Sequence, residues 1–173
     1  MPATPADKVD VEALAADGAR LARRYPLDRF PRLADLLVTA DGEAVASFRF
    51  LRAAEDAPAC ELSVEAVADL RCERCLETFR YPIASEVRLA FVPEGSGEDR
   101  VPDGFEAVPI GSECLSLSGL VEDELLLSLP VVALHPEGTP CAERGAQVEG
   151  NAGGTENSGT QRPFAGLKEL LKH

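Results

Sequence analysis

In CELSVEAVADLRC, residues 60 to 72, apolar and polar side chains alternate almost without a break. Cys60, Leu62, Val64, Ala66, Ala68, Leu70 and Cys72 take the even positions, and Glu61, Ser63, Glu65, Asp69 and Arg71 most of the odd ones. A period of two is that of a strand with one buried face. After the stretch CERC the odd positions Phe79, Tyr81, Ile83, Val87, Leu89 and Phe91 repeat the pattern. Two such runs in succession predict an antiparallel hairpin with Cys72 and Cys75 at its tip.

The rest of the chain is read around that hairpin. LSLSGLVEDELLLSLPVV predicts a helix over 117–129, capped by Ser118 and stopped by Pro130. Leu117, Leu120, Val121, Leu125 and Leu129 would face the sheet. Glu122, Asp123 and Glu124 read as helix-end electrostatics and a solvated face. VDVEALAADGARLARRY suggests a helical segment within 1–25, weakened by Gly18. Residues 33–53 suggest two short strands around Asp41-Gly42. Residues 93–115, acidic and rich in Pro and Gly, predict a loop. The resulting organisation is an N-terminal helical segment (1–25), a β-rich core (26–141), a linker (142–162) and a short amphipathic helix, PFAGLKELLKH (163–173). The fold class is α+β: a small antiparallel sheet or partly open barrel with a packed helix and terminal helices.

Charge narrows the partners. The net charge of −13 argues against binding nucleic acid through average charge alone, because that binding rests on Lys and Arg neutralising phosphates. The distribution is uneven. Residues 20–32 carry five arginines against Asp28, and residues 94–124 carry nine acids against Arg100. MPATPADKVD lacks the basic start and apolar run of a secretory leader, and no apolar stretch reaches the length of a membrane span. A reducing, cytoplasmic setting is therefore expected, in which structural disulfides are rare.

A Cys-x-x-Cys turn aims two thiolates at one point and supplies half of a tetrahedral zinc site. His135 and Cys141, close together in a Pro/Gly-rich segment, are the best complement, so Cys72, Cys75, His135 and Cys141 form the candidate metal set. The competing reading is a hairpin tip with unligated thiols. Redox chemistry is disfavoured, since the pair does not open a helix after a strand. Cys60, on the inward-facing set, reads as a small core residue. His135 by itself reads as a surface histidine after a helix. No nucleophile with a His and carboxylate partnership is evident, and the Gly-rich stretches lack the lysine and context of a phosphate loop. Arg71, Arg74 and Arg80 around the cysteines, with Arg23 and Arg24 in the early cluster, are the candidate contacts to RNA or another partner.

CERCLETFRYPI resembles the bacterial YceD family, named for large ribosomal RNA subunit accumulation. The resemblance rests on Cys72, Arg74, Cys75, Leu76, Phe79, Tyr81 and Pro82, followed by VEDELLLSLP (121–130), His135 with Cys141, and PFAGLKELLKH. RLADLL (32–37) is similar to the family's early segment. The resemblance implies a cytoplasmic factor supporting accumulation or processing of large-subunit ribosomal RNA, with precursor RNA or large-subunit assembly components as partners; together with the absence of a catalytic constellation it makes a non-enzymatic factor the leading expectation. Relatives with a fuller Cys-rich C-terminal segment resemble a zinc ribbon; this chain has only His135 and Cys141 there. The alternative is an acidic protein-binding module that escorts a basic ribosomal protein or assembly factor. A more remote possibility is a hydrolase acting on RNA.

Overall fold

The structure is a computed structural model that describes residues 7–53, 56–95, 101–111 and 115–141. The strands are β1 (Lys8–Val9), β2 (Arg20–Pro26), β3 (Glu43–Arg52), β4 (Pro58–Arg71), β5 (Thr78–Pro93), β6 (Glu106–Ile110) and β7 (Leu115–Ser116). The helices are α1 (Val11–Ala16), α2 (Pro31–Ala34) and α3 (Leu117–Leu127). All of these lie in one unit, residues 1–135; residues 136–173 form a second.

One sheet runs in the order β2-β3-β4-β5-β6, and a separate small ladder joins β1 to β7. Neighbours in the large sheet are antiparallel, except that β6 lies parallel to β5. The fold is α+β, and the sheet does not close into a barrel. The alternation across the cysteines forms the longest hairpin, with Arg71 opposite Thr78 at its end and Cys60 opposite Leu89 further along. On its inner face Phe48 lies beside Leu62 and Phe50 beside Cys60. The Phe50 ring stacks against Phe48 and Phe91, with centroids 6.2 and 6.5 Å apart. Leu117, Val121 and Leu125 of α3 are fully buried.

Several local expectations are corrected. The helical segment placed in 1–25 is helical only to Ala16; Gly18 turns the chain at φ +59° and β2 follows. Asp10 caps that short helix by accepting the amides of Glu12 and Ala13. The first of the two strands expected around Asp41-Gly42 is instead α2 and a turn, with Thr39 making only a single bridge to Asp69. The acidic stretch read as loop contains β6. A parallel neighbour needs a crossover of about a dozen residues, and the chain between Pro93 and Glu106 supplies that length. β6 is an edge strand, which explains how it holds Pro109. Helix α3 ends at Leu127, and its cap is Ser116, whose hydroxyl accepts the Gly119 amide at 3.2 Å, rather than Ser118. The linker 142–162 and the helix 163–173 lie outside the described residues.

Candidate metal centre

The tip between β4 and β5 is a tight loop closed by its own backbone. The Cys72 amide donates to the Glu77 carbonyl at 2.9 Å, and the Leu76 amide to the Cys72 carbonyl at 2.8 Å. That closure drives Leu76 to φ +64°, a left-handed conformation that costs a non-glycine residue on the order of 1 kcal/mol. The segment after α3 then comes back to the tip: the Glu73 amide donates to the Ala133 carbonyl at 2.8 Å. This bond delivers His135, whose Nδ1 lies 3.4 Å from the Cys75 Sγ. The His135 ring packs on Phe79 with centroids 4.8 Å apart, so its plane is held from the side.

Among the described residues of the first unit, Cys72, Cys75 and His135 are the side chains grouped to hold a metal ion. Within the first unit, the ligand atoms of Cys72, Cys75 and His135 lie within 4.8 Å of one another. A tetrahedral zinc with Zn–S of about 2.3 Å and Zn–N of about 2.1 Å sets its ligand atoms about 3.6–3.8 Å apart. The three donors therefore fit one ion. Cys141 belongs to the second unit and is buried.

Burial pushes the Cys72 thiol up, yet three amides (Cys75, His135 and Arg74) and the His135 ring outweigh it and bring the thiol down to about 5. Amide hydrogens aimed at a sulfur stabilise its anion, and the anion is the metal-binding form. Cys60 is the contrast: it is fully buried beside Phe50, and burial pushes its thiol up to about 12. It is the core residue that its strand position predicts.

The arginines do not gather into one surface. Arg71, Arg74 and Arg80 are exposed around the tip, with Arg80 opposite Asp69 in the hairpin register. Arg23 and Arg24 sit on opposite faces of β2, the edge strand, and Arg24 pairs with Glu43 at 3.4 Å. Arg24 aligns through Val45 with Glu65, six residues along β4 from Arg71, about 20 Å at ~3.3 Å per residue. The early cluster is also partly neutralised inside the fold. Arg32 binds Glu122 and Asp123 at 2.9 and 2.7 Å, and Arg29 lies 3.8 Å from Asp7.

Two carboxylates with no local sign of a structural role hold the starts of α2 and α3. Glu122, read as a solvated acid, is buried and accepts the Arg32 amide at 2.8 Å. Asp7 accepts the Ser118 amide at 3.1 Å and the hydroxyls of Ser116 and Ser118 at 2.8 and 2.7 Å. Partners 90 to 111 positions apart leave no local sequence signal.

Fold and site together define the class: a small α+β domain, mostly antiparallel, whose longest hairpin ends in a thiol–imidazole cluster able to hold a metal. Residues 60–171 match the family described as large ribosomal RNA subunit accumulation protein YceD. The match covers more than half of the chain, and the chain belongs to this family. It is similar to the large ribosomal RNA subunit accumulation protein YceD of Haemophilus influenzae, 28% identical over 112 residues. The aligned region is 64% of this chain and 64% of that relative, so the chain spans just under two thirds of the relative's length. No solved structure matches the chain. Among the described residues no helix is long and apolar enough to cross a membrane.

Proposed function

We propose that this protein is a non-enzymatic, cytoplasmic ribosome-biogenesis factor that supports accumulation or processing of large-subunit ribosomal RNA, and that its hairpin tip is a structural zinc clamp. The family supports the first part. The observation that carries the second is the approach of His135 to Cys75 at 3.4 Å across 60 positions of sequence. Cys141 is the fourth ligand in this reading; only five residues separate it from His135, so the chain can reach. Three thiolates and one imidazole fill a tetrahedral shell and leave no open position for a reacting water, which is the pattern of structural rather than catalytic zinc.

In this reading the clamp presents Arg71, Arg74 and Arg80 to a large-subunit assembly component or precursor RNA, with Arg23 and Arg24 as a separate, weaker patch. The escort alternative leans on the acids of 94–124, and three of those nine are already engaged inside the fold: Glu122 and Asp123 by Arg32, Glu124 by Ser85. The test is depletion of the protein followed by measurement of precursor and mature large-subunit RNA. A fall in mature RNA or a rise in precursor is expected; unchanged levels with normal subunit profiles overturn the reading.

A further inference from the structure

A groove of about 1240 Å³ opens on the sheet face turned away from the core. The alternation that buries Phe48 and Leu62 sends their neighbours Arg49 and Glu61 to that face. One row of the ladder crosses it on four strands: Arg20 lies opposite Arg49, Arg49 opposite Glu61, and Glu61 opposite Arg88. The next row is small, with Ala22, Ser47 and Ser63 ended by Glu86. Phe105, half-buried, lines the same groove. The first row holds three guanidiniums and one carboxylate. Arg49 turns its Nε and one Nη to Glu61, and the Arg88 Nε lies 3.7 Å from the same carboxylate. Arg20 faces only Arg49 across the ladder, and its guanidinium makes no hydrogen bond or ion pair with the described residues. Like charges directly opposite each other destabilise a sheet, and an anion held between them would remove that cost. The other two carboxylates of the groove do not supply it. Glu86 lies three strands away from Arg20, and Glu106 aligns with Leu89 of the buried face. The uncompensated charge therefore sits at the β2–β3 end.

We propose that this sheet face binds an unpaired stretch of large-subunit ribosomal RNA, with a backbone phosphate between Arg20 and Arg49 and a base further along on the Phe105 ring. This rests on the proposed function and names the surface and the form of RNA that it takes. Planar guanidinium forks match a phosphate and can bond it twice. The small floor of Ala22, Ser47 and Ser63 lets a strand lie close, and the serine hydroxyls can donate to phosphate or sugar. Phe105 supplies the ring on which unpaired bases stack, and an open sheet leaves room for bases splayed out along it. Duplex RNA keeps the faces of its bases hidden in the stack and gains nothing from that ring.

The experiment compares full-length wild type, Arg20→Gln, Phe105→Leu and, at the hairpin tip, Arg71→Gln. The probes are an unstructured RNA of about 16 nucleotides, the same RNA annealed to its complement, and the RNA-free proteins of large-subunit precursor particles. Wild type should prefer the unpaired RNA. Arg20→Gln should bind it about threefold or more weakly, and its slope of log affinity against log salt should shrink by about 0.7, the share of one phosphate contact. Phe105→Leu should bind about tenfold more weakly with the slope unchanged, because stacking releases no counterions. Arg20 has no described partner to lose and a like charge opposite it, so the thermal midpoint of Arg20→Gln should equal or exceed that of wild type. Wild-type affinity and slope in Arg20→Gln overturn the proposal. A loss confined to Arg71→Gln also overturns it and moves the RNA to the tip. Equal binding of duplex and unpaired RNA, or a wild type that takes the protein fraction and ignores RNA, overturns it as well. Depletion reads RNA levels in cells whichever face is used. Altered levels together with an Arg20→Gln that binds as wild type would strike this face alone, and unchanged levels would strike the function.

Discussion

Glu122 lies on the helix that should have been acidic and solvated, and yet it is 7% exposed. Its two oxygens take the Arg32 amide and the Arg32 guanidinium at 2.8 to 3.1 Å, with the Leu33 amide at 3.4 Å. Those amides open α2, whose own cap residue, Phe30, has no side-chain acceptor to offer. Glu122 thus caps one helix from another. Glu122→Ala should cost about 1–3 kcal/mol in urea unfolding, since it orphans amides near the core. Asp123→Ala, which removes only an exposed partner of Arg32, should cost no more than ~1 kcal/mol. Asp7 plays a similar part at the start of α3. Burial pushes its carboxyl up, but the bonds from Ser118 and Ser116 and the Arg29 charge outweigh this and leave it below the usual 3.8. A carboxyl lowered on folding contributes its full stability above the unfolded value and loses it as pH falls through the folded one. The stability gap between wild type and Asp7→Asn should therefore be widest at neutral pH and close as the pH drops below 3.8, read from urea midpoints across that range.

At the scale of elements, the hairpin β4–β5 is where local pattern and tertiary need agree. Its inward residues meet the Phe48, Phe50 and Phe91 stack, and α3 packs against both of its strands. Phe50 lies between the other two rings and is 1% exposed. Phe50→Ala should lower stability by about 3–5 kcal/mol in chemical denaturation, the usual cost of emptying a buried aromatic site. β2 is less legible. In RLARRYP, Leu21 and Tyr25 alternate with Arg20, Ala22 and Arg24, but Arg23 occupies an inward position where an apolar residue would have signalled a strand. That break let the helical spacing of the preceding residues run on. β6 shows the opposite problem: EAVPI is short, acidic at one end and interrupted by proline, and only pairing with β5 makes it a strand.

For the whole molecule, the clamp joins the β4–β5 tip to the segment after α3, which are far apart in sequence. If zinc occupies it, the binding energy adds to folding. Metal analysis of protein purified without an affinity metal column should give one zinc per chain. Chelation, or Cys72→Ser, should lower the thermal midpoint and loosen residues 131–135 in hydrogen exchange; a metal-free protein with an unchanged midpoint after chelation sinks the clamp. The sequence alone determined the hairpin, the cysteines at its tip, the inward place of Cys60 and the Leu-rich helix. Each of these rests on a short period or on neighbours within a few residues, so the chain states them locally. It also supplied the donors of the cluster as candidates. Long-range packing set the rest: His135 stands at Cys75, Glu122 and Asp7 cap helices distant in sequence, and β6 joins the sheet in parallel. The first two outcomes depend on segments 60 to 111 positions apart meeting across a packed core, and the third on a crossover whose direction no local pattern states; no local periodicity encodes which partner arrives.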